Sequence, residues 1–134
     1  MRLLPVLTWL LRILAAIILL QTLYFKFTAH PQSVAIFEKL GMEPWGRIGT
    51  GILELCAAVL ILYPRTSFFG AALGLGLMAG AIFFHLTKLG IYVDGDPVLF
   101  IYAVITFVCC LFLLIIHRSQ VFKILKFSQR RQTR

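Results

Sequence analysis

The chain has 134 residues, of which 60% are hydrophobic and only 13% are charged, and its mean hydropathy is +0.94. A water-soluble domain of this length cannot bury so much apolar surface in one core. The composition therefore excludes a soluble domain and indicates an integral membrane protein. The formal net charge of +8 is accordingly interpreted as a signal for membrane orientation and lipid contact, and nucleic acid is not expected as a partner.

Four apolar runs, at residues 3–27, 45–63, 66–87 and 97–116, carry the fold prediction. Each is close to the roughly 20 residues that cross about 30 Å of hydrocarbon as a helix. The runs are continuously apolar, whereas the strands of a membrane β-barrel alternate between lipid-facing and lumen-facing residues. We therefore predict an all-α membrane protein, with a bundle of four transmembrane helices over residues 1–117.

The distribution of Lys and Arg predicts the orientation of this bundle. Arg2 precedes the first run and Arg65 lies in the tight connection between the second and third runs. The segment after His117 is rich in basic residues and contains no acid. Because segments rich in Lys and Arg stay in the cytoplasm, we expect both termini to be cytoplasmic.

The basic tail over residues 118–134 has two interpretations. Apolar residues at 121, 122, 124, 125 and 127 alternate with Lys123 and Lys126, which is typical of an interfacial helix on anionic headgroups. A solvated tail that only sets topology explains the pattern equally well. The candidate lipid-contacting residues are Lys123, Lys126, Arg130 and Arg131.

A short helix is predicted between the first two runs, on the outer side of the membrane. Pro31 can begin a helix, Val34 and Phe37 recur at helical spacing, and Gly41 can end it. This helix would lie across the outer mouth of the bundle, either as a lid or as an interfacial anchor.

Two charged residues lie deep within the apolar runs, well away from their ends: Arg12 in the first and Glu54 in the second. If Leu4 and Tyr63 mark the inner ends of antiparallel helices, Arg12 and Glu54 lie about 12 and 13.5 Å from those ends at about 1.5 Å per residue. Charges in hydrocarbon usually face the bundle interior and pair. We therefore predict a buried ion pair between Arg12 and Glu54.

The same depth count places Lys26 and His85 together near the outer mouth. Gln21, Tyr24 and Lys88 are the other candidates for this outer polar site. Four glycines in the third run form two pairs with four-residue spacing: Gly70 with Gly74, and Gly76 with Gly80. The two pairs project to different sides of a helix, so we expect this helix to pack closely against two neighbours.

Cysteine chemistry finds little support in the sequence. Transfer of electrons from a thiol to a quinone needs a Cys-x-x-Cys pair, because one thiol attacks and its neighbour resolves. The chain has Cys56 and the adjacent Cys109 and Cys110, which are interpreted as small apolar packing residues. The catalytic residues stay unknown, no metal site is indicated, and the three histidines lie at depths that do not favour a two-histidine haem.

Several short motifs recur in a fixed order: Leu11-Arg12-Ile13-Leu14, Tyr24-Phe25-Lys26-Phe27, Phe37-Glu38-Lys39-Leu40-Gly41-Met42, Gly51-Ile52-Leu53-Glu54-Leu55, Pro64-Arg65 and Phe83-Phe84-His85. In this order and spacing, over roughly residues 11–90, the chain resembles the DoxX family of small bacterial inner-membrane proteins. The resemblance implies a four-helix protein of the inner membrane. It also implies a link to quinone-coupled oxidation of sulfur compounds and to membrane complexes that handle oxidative stress.

Three functions remain open from the sequence. The first is an accessory or quinone-linked redox subunit of a membrane complex, with quinone as its cofactor. The second is a membrane scaffold that binds partner proteins and has no chemistry of its own. The third is a small transporter or proton path, because a Glu within the membrane and an outer His would also suit that role.

Overall fold

The computed structural model describes residues 3–133, except for the side chains of residues 120–122, 124 and 125. Over this range the chain forms α1 (Leu3–Phe27), α2 (Pro31–Lys39), α3 (Trp45–Leu62), α4 (Ser67–Phe84) and α5 (Val98–Gln132). A single turn of π-helix, His85–Leu89, extends α4 without a break. Within these residues, four helices are long and apolar enough to cross a membrane, which confirms the predicted fold class. The cytoplasmic placement of the termini stays a prediction.

The four long helices form a ring in the order α1, α3, α4, α5. Each packs along its two neighbours, and α5 closes the ring against α1. Small residues fill the centre, among them Ala15, Ala57, Ala58 and Ala71, which are all fully buried. Small side chains let the helix backbones approach closely, and this close van der Waals packing is what holds helices together in lipid.

The predicted short helix is confirmed as α2. Pro31 occupies its first turn, and the His30 side chain accepts a hydrogen bond from the backbone N–H of Gln32. Gly41 follows the helix with φ +72°, a left-handed conformation that glycine adopts without strain. Because α2 lies where α1 ends and α3 begins, we call this end of the bundle the capped end. The opposite end, with the start of α1, the Arg65 turn and His117, is called the basic end.

The two glycine pairs of α4 have different roles. A methyl group on Gly70 would lie 2.5 Å from the backbone nitrogen of Ile61, and one on Gly74 would lie 2.8 Å from the Cys110 sulfur. This pair therefore lets α4 approach both α3 and α5. Gly76 and Gly80 have no atom within 4 Å of that position and line a cavity. The prediction of close packing was right for the first pair and wrong for the second, because at Gly76 and Gly80 the missing side chains leave open space.

The basic tail continues α5 without interruption to Gln132. Lys123, Lys126, Arg130 and Arg131 are exposed along it. The apolar side chains at residues 121, 122, 124 and 125, on which the interfacial interpretation rests, lie outside the described side chains. Contact of the tail with lipid headgroups stays a prediction.

Candidate functional site: a polar cavity beneath the short helix

A cavity of about 440 Å³ occupies the capped end of the bundle. Its walls come from all four long helices, and α2 closes it through Ser33, Ile36 and Phe37. Most of the lining is apolar. The polar side chains that reach it are Gln21, Thr22, Lys26, Gln32, Ser33, Thr50, Glu54, His85, Asp96 and Tyr102.

A salt bridge between Lys26 and Glu54 lies in the wall of this cavity. The Lys26 Nζ is 3.1 Å from Oε2 of Glu54, whose residue is only 4% exposed. The Thr22 hydroxyl lies 3.0 Å from the same oxygen. Among the described residues, none donates a hydrogen bond to Oε1 of Glu54, so this carboxylate keeps acceptor capacity toward the cavity.

Arg47 ties α1 and α3 together at the capped end. Its Nε lies 2.9 Å from a carboxylate oxygen of Glu43 one turn earlier, and its Nη1 donates to the backbone carbonyl of Lys26. The carbonyls of the last helical turn have no hydrogen-bond partner within the helix and carry partial negative charge. A guanidinium donates a hydrogen bond to such a carbonyl and also balances its charge. The backbone that carries Lys26 is therefore fixed beside α3.

His85 enters the cavity from the π-helical turn. Its Nδ1 lies 2.9 Å from the carbonyl oxygen of Gly90, and because a carbonyl only accepts, Nδ1 must carry a proton. The ring packs edge-on against Phe100, at 5.7 Å between centroids. No described residue bonds to Nε2 of His85 or to the hydroxyl of Tyr102. Both groups line the cavity and are free to bond to a molecule within it.

The predicted ion pair between Arg12 and Glu54 is wrong. Glu54 pairs with Lys26, while Nη2 of Arg12 lies 2.9 Å from Nε2 of His117 at the basic end. The prediction assumed that α1 and α3 end at the same depth, but α1 has 25 residues and α3 has 18. Since Thr22 is level with Glu54, Arg12 lies ten residues, about 15 Å, nearer the basic end.

Of the five residues proposed for the outer polar site, three line the cavity: Lys26, His85 and Gln21. Tyr24 is 66% exposed and Lys88 is also exposed, and neither belongs to the lining. Sequence reasoning missed the roles of Thr22, Thr50 and Tyr102. A signal was present for the first two, because Thr22 with Lys26 and Thr50 with Glu54 are spaced four residues apart and so share a helix face.

Within the described part of the chain, four apolar helices around a mostly apolar cavity with a few polar groups define a small multi-pass membrane protein. The sequence profile of the DoxX-like family matches residues 10–113, and the chain belongs to this family. The match confirms the resemblance noted from the motifs, and it includes most of the fourth membrane helix. No curated protein and no solved structure was found to match the chain.

Proposed function

We propose that this protein is a quinone-linked accessory subunit of a membrane redox complex and that it binds the quinone head group in the cavity beneath α2. We place it in the inner membrane of a bacterial cell with both termini in the cytoplasm. The cavity carries this proposal, because it combines an apolar lining with a few converging polar groups.

The size and lining of the cavity fit a small aromatic ligand. Ligand sites are typically clefts of about 300–1,000 Å³ with mostly apolar walls and a few polar groups that set orientation. The cavity here has a volume of about 440 Å³. A flat, largely apolar ring with two carbonyl oxygens matches such a lining better than a sugar or a charged metabolite does.

The polar groups suit the two carbonyl oxygens of a quinone. The ammonium of Lys26 and the hydroxyl of Tyr102 can donate hydrogen bonds to them. Reduction of a quinone to a quinol takes two electrons and two protons. Imidazole and carboxylate groups commonly serve as proton donors and acceptors in proteins. His85 Nε2 and Oε1 of Glu54 have no partner among the described residues, so they can take up protons and pass them to a bound quinone.

The electrons must come from a partner protein. Cys109 and Cys110 are buried, and the sequence has no Cys-x-x-Cys pair that could act as a dithiol donor. We therefore assign quinone binding and proton exchange to this chain, and electron supply to another subunit of the complex.

A matched pair of tyrosine variants tests quinone binding. Tyr102 lines the cavity and Tyr24 is exposed outside it, so each Tyr→Phe change removes one hydroxyl in a different environment. We expect Tyr102→Phe to weaken binding of a short-chain benzoquinone to the purified protein by about tenfold, the usual effect of one lost hydrogen bond to a ligand. Tyr24→Phe should leave the affinity unchanged. Calorimetric titration measures both.

Two substitutions of His85 separate its contribution to quinone binding from its contribution to folding. Asparagine reproduces the Nδ1 position and keeps a donor for the Gly90 carbonyl, whereas glutamine reproduces the Nε2 position and loses that bond. We expect His85→Asn to fold but bind quinone poorly, and His85→Gln to bind better but melt at a lower temperature. Absence of saturable binding by the wild-type protein would reject the quinone role and favour the scaffold.

A further inference from the structure

The basic end of the bundle contains a buried arginine that no carboxylate neutralises. Arg12 is 4% exposed, and its guanidinium carbon lies 4.7 Å from the centre of the Trp9 ring. Its Nη2 bonds to His117, but its Nε is buried and has no hydrogen-bond partner among the described residues. A buried donor of a charged group without a partner is costly, which points to a ligand at this position.

The neighbouring histidine does not balance the charge. A guanidinium stays protonated and can only donate, so Nε2 of His117 accepts in this bond. The imidazole thus orients Arg12 without offering it negative charge. The helix carrying His117 adds Arg118, which is exposed and also positive.

The acidic side chains of the protein all lie elsewhere. Glu54 bonds to Lys26 in the cavity, and Glu43 bonds to Arg47. Glu38 lies on α2, and Asp94 and Asp96 lie in the connection between α4 and α5, all at the capped end. Because the sequence has only five Asp and Glu residues, an anion beside Arg12 must come from outside this chain's side chains.

Arg12 lies at the depth where lipid headgroups are expected. Since Thr22 is level with Glu54 in antiparallel helices, Arg12 is level with the turn between α3 and α4, which carries the exposed Arg65. Trp9, one turn away, is 44% exposed, and tryptophan is enriched at the membrane interface. Arg12 and His117 therefore lie next to the headgroup layer.

A cleft of about 260 Å³ opens beside the guanidinium, lined by Pro5, Thr8, Trp9, Arg12, Ile116 and His117. On the side of Arg12 toward the bilayer centre the surface of α1 is apolar, with Ile13 44% and Ile17 59% exposed. A free phosphate ion would gain no favourable contact from this apolar surface. A phospholipid brings acyl chains that can lie along it while its phosphate reaches the cleft.

We propose that Arg12, held by His117 and Trp9, binds the phosphate of an anionic phospholipid at the basic end of the bundle. A guanidinium offers several fixed donors that match phosphate oxygens, and its bonds to phosphate are charge-assisted. The neutral imidazole leaves the full positive charge available to the lipid. This site lies about 15 Å from the level of Glu54 along α1, so it does not depend on the quinone proposal.

Quenching of Trp9 fluorescence by brominated lipids tests the site. The full chain, with Trp45→Phe so that Trp9 alone reports, is placed in phosphatidylcholine nanodiscs containing a small fraction of brominated phosphatidylglycerol or brominated phosphatidylcholine. We expect the anionic lipid to quench at about tenfold lower mole fraction. Excess unlabelled phosphatidylglycerol should reverse the quenching.

Two arginine variants at the same depth give the matched comparison. Arg12→Gln should abolish the preference for phosphatidylglycerol, whereas Arg65→Gln removes one exposed charge from the same end and should keep it. Equal quenching by the two lipids in the parent protein would overturn the proposal. Complete displacement of the anionic lipid by inorganic phosphate would also overturn the proposal, because the site would then bind free phosphate. If Arg12→Gln does not fold, the lipid competition in the parent protein still decides.

Discussion

At the scale of single residues, the site depends on where charged side chains find their partners. Lys26 lies one turn beyond Thr22, and its long side chain reaches back along α1 to the carboxylate of Glu54. Side chains of a helix lean toward its N-terminus, which favours this reach. The pair thus places an ammonium and a carboxylate in an apolar wall, where each is stable only beside the other.

We predict strong coupling between Lys26 and Glu54. Glu54→Gln or Lys26→Met alone leaves an uncompensated charge and should lower stability in detergent by about 3 kcal/mol. The double variant removes both charges, so it should lose much less than the sum. Thermal unfolding of the four proteins measures the coupling, and additive losses would contradict the salt bridge.

The control for this double-mutant comparison is a pair of charged residues that lie far apart in the structure. Arg12→Gln combined with Glu54→Gln should be additive within about 0.5 kcal/mol, because the two residues lie at different levels and share no partner. A large coupling energy between them would instead support the ion pair first expected from the sequence.

At the scale of elements, one face of α4 packs against neighbouring helices and another face borders the cavity. Gly70 and Gly74 allow close contact with α3 and α5, whereas Gly76 and Gly80 line the cavity. The π-helical turn then adds His85 to the same wall. One helix therefore both holds the bundle together and leaves room for a ligand.

We predict opposite effects from the same substitution at Gly70 and Gly80. Gly70→Ala should destabilise the bundle by about 1–3 kcal/mol, because the new methyl group would meet the backbone nitrogen of Ile61 at 2.5 Å. Gly80→Ala meets no atom within 4 Å and should raise helix stability by up to about 1 kcal/mol. Unfolding midpoints in one detergent compare the two. Equal losses would show that both glycines are packed.

At the scale of the whole molecule, polar chemistry is divided between the two ends of an apolar bundle. The capped end holds Glu54 and Lys26 in its cavity, and the basic end holds Arg12 and His117. Fully buried small residues such as Ala15 and Ala57 lie between them. The quinone and the phospholipid that we propose as ligands would therefore bind at separate ends of the bundle.

The orientation of the bundle gives the last prediction. We expect the capped end to face away from the cytoplasm and the basic end to face into it. After replacement of the native cysteines by alanine, a cysteine at Glu38, exposed on α2, should be labelled in intact cells by an impermeant maleimide. A cysteine at Arg131 should react only after lysis. The reverse pattern would contradict the orientation drawn from the basic residues.

Local sequence was sufficient for the helices themselves. Continuous apolar runs of suitable length determine the membrane helices, because unpaired backbone groups cannot stay in hydrocarbon. Pro31 and Gly41 determine the limits of α2 through backbone geometry that does not depend on the rest of the fold. Lys26 and His85 were also placed correctly at one end, since depth follows from counting residues along a helix.

The partners of the charged residues were decided only by the tertiary structure. Arg12 and Glu54 looked level because their runs were aligned by their ends, but packing shifts α1 along α3 and joins Glu54 to Lys26. Helix rotation likewise decided that Gly70 packs while Gly80 opens a cavity. Axial shift and rotation arise from side-chain packing between helices distant in sequence, and no local pattern encodes them.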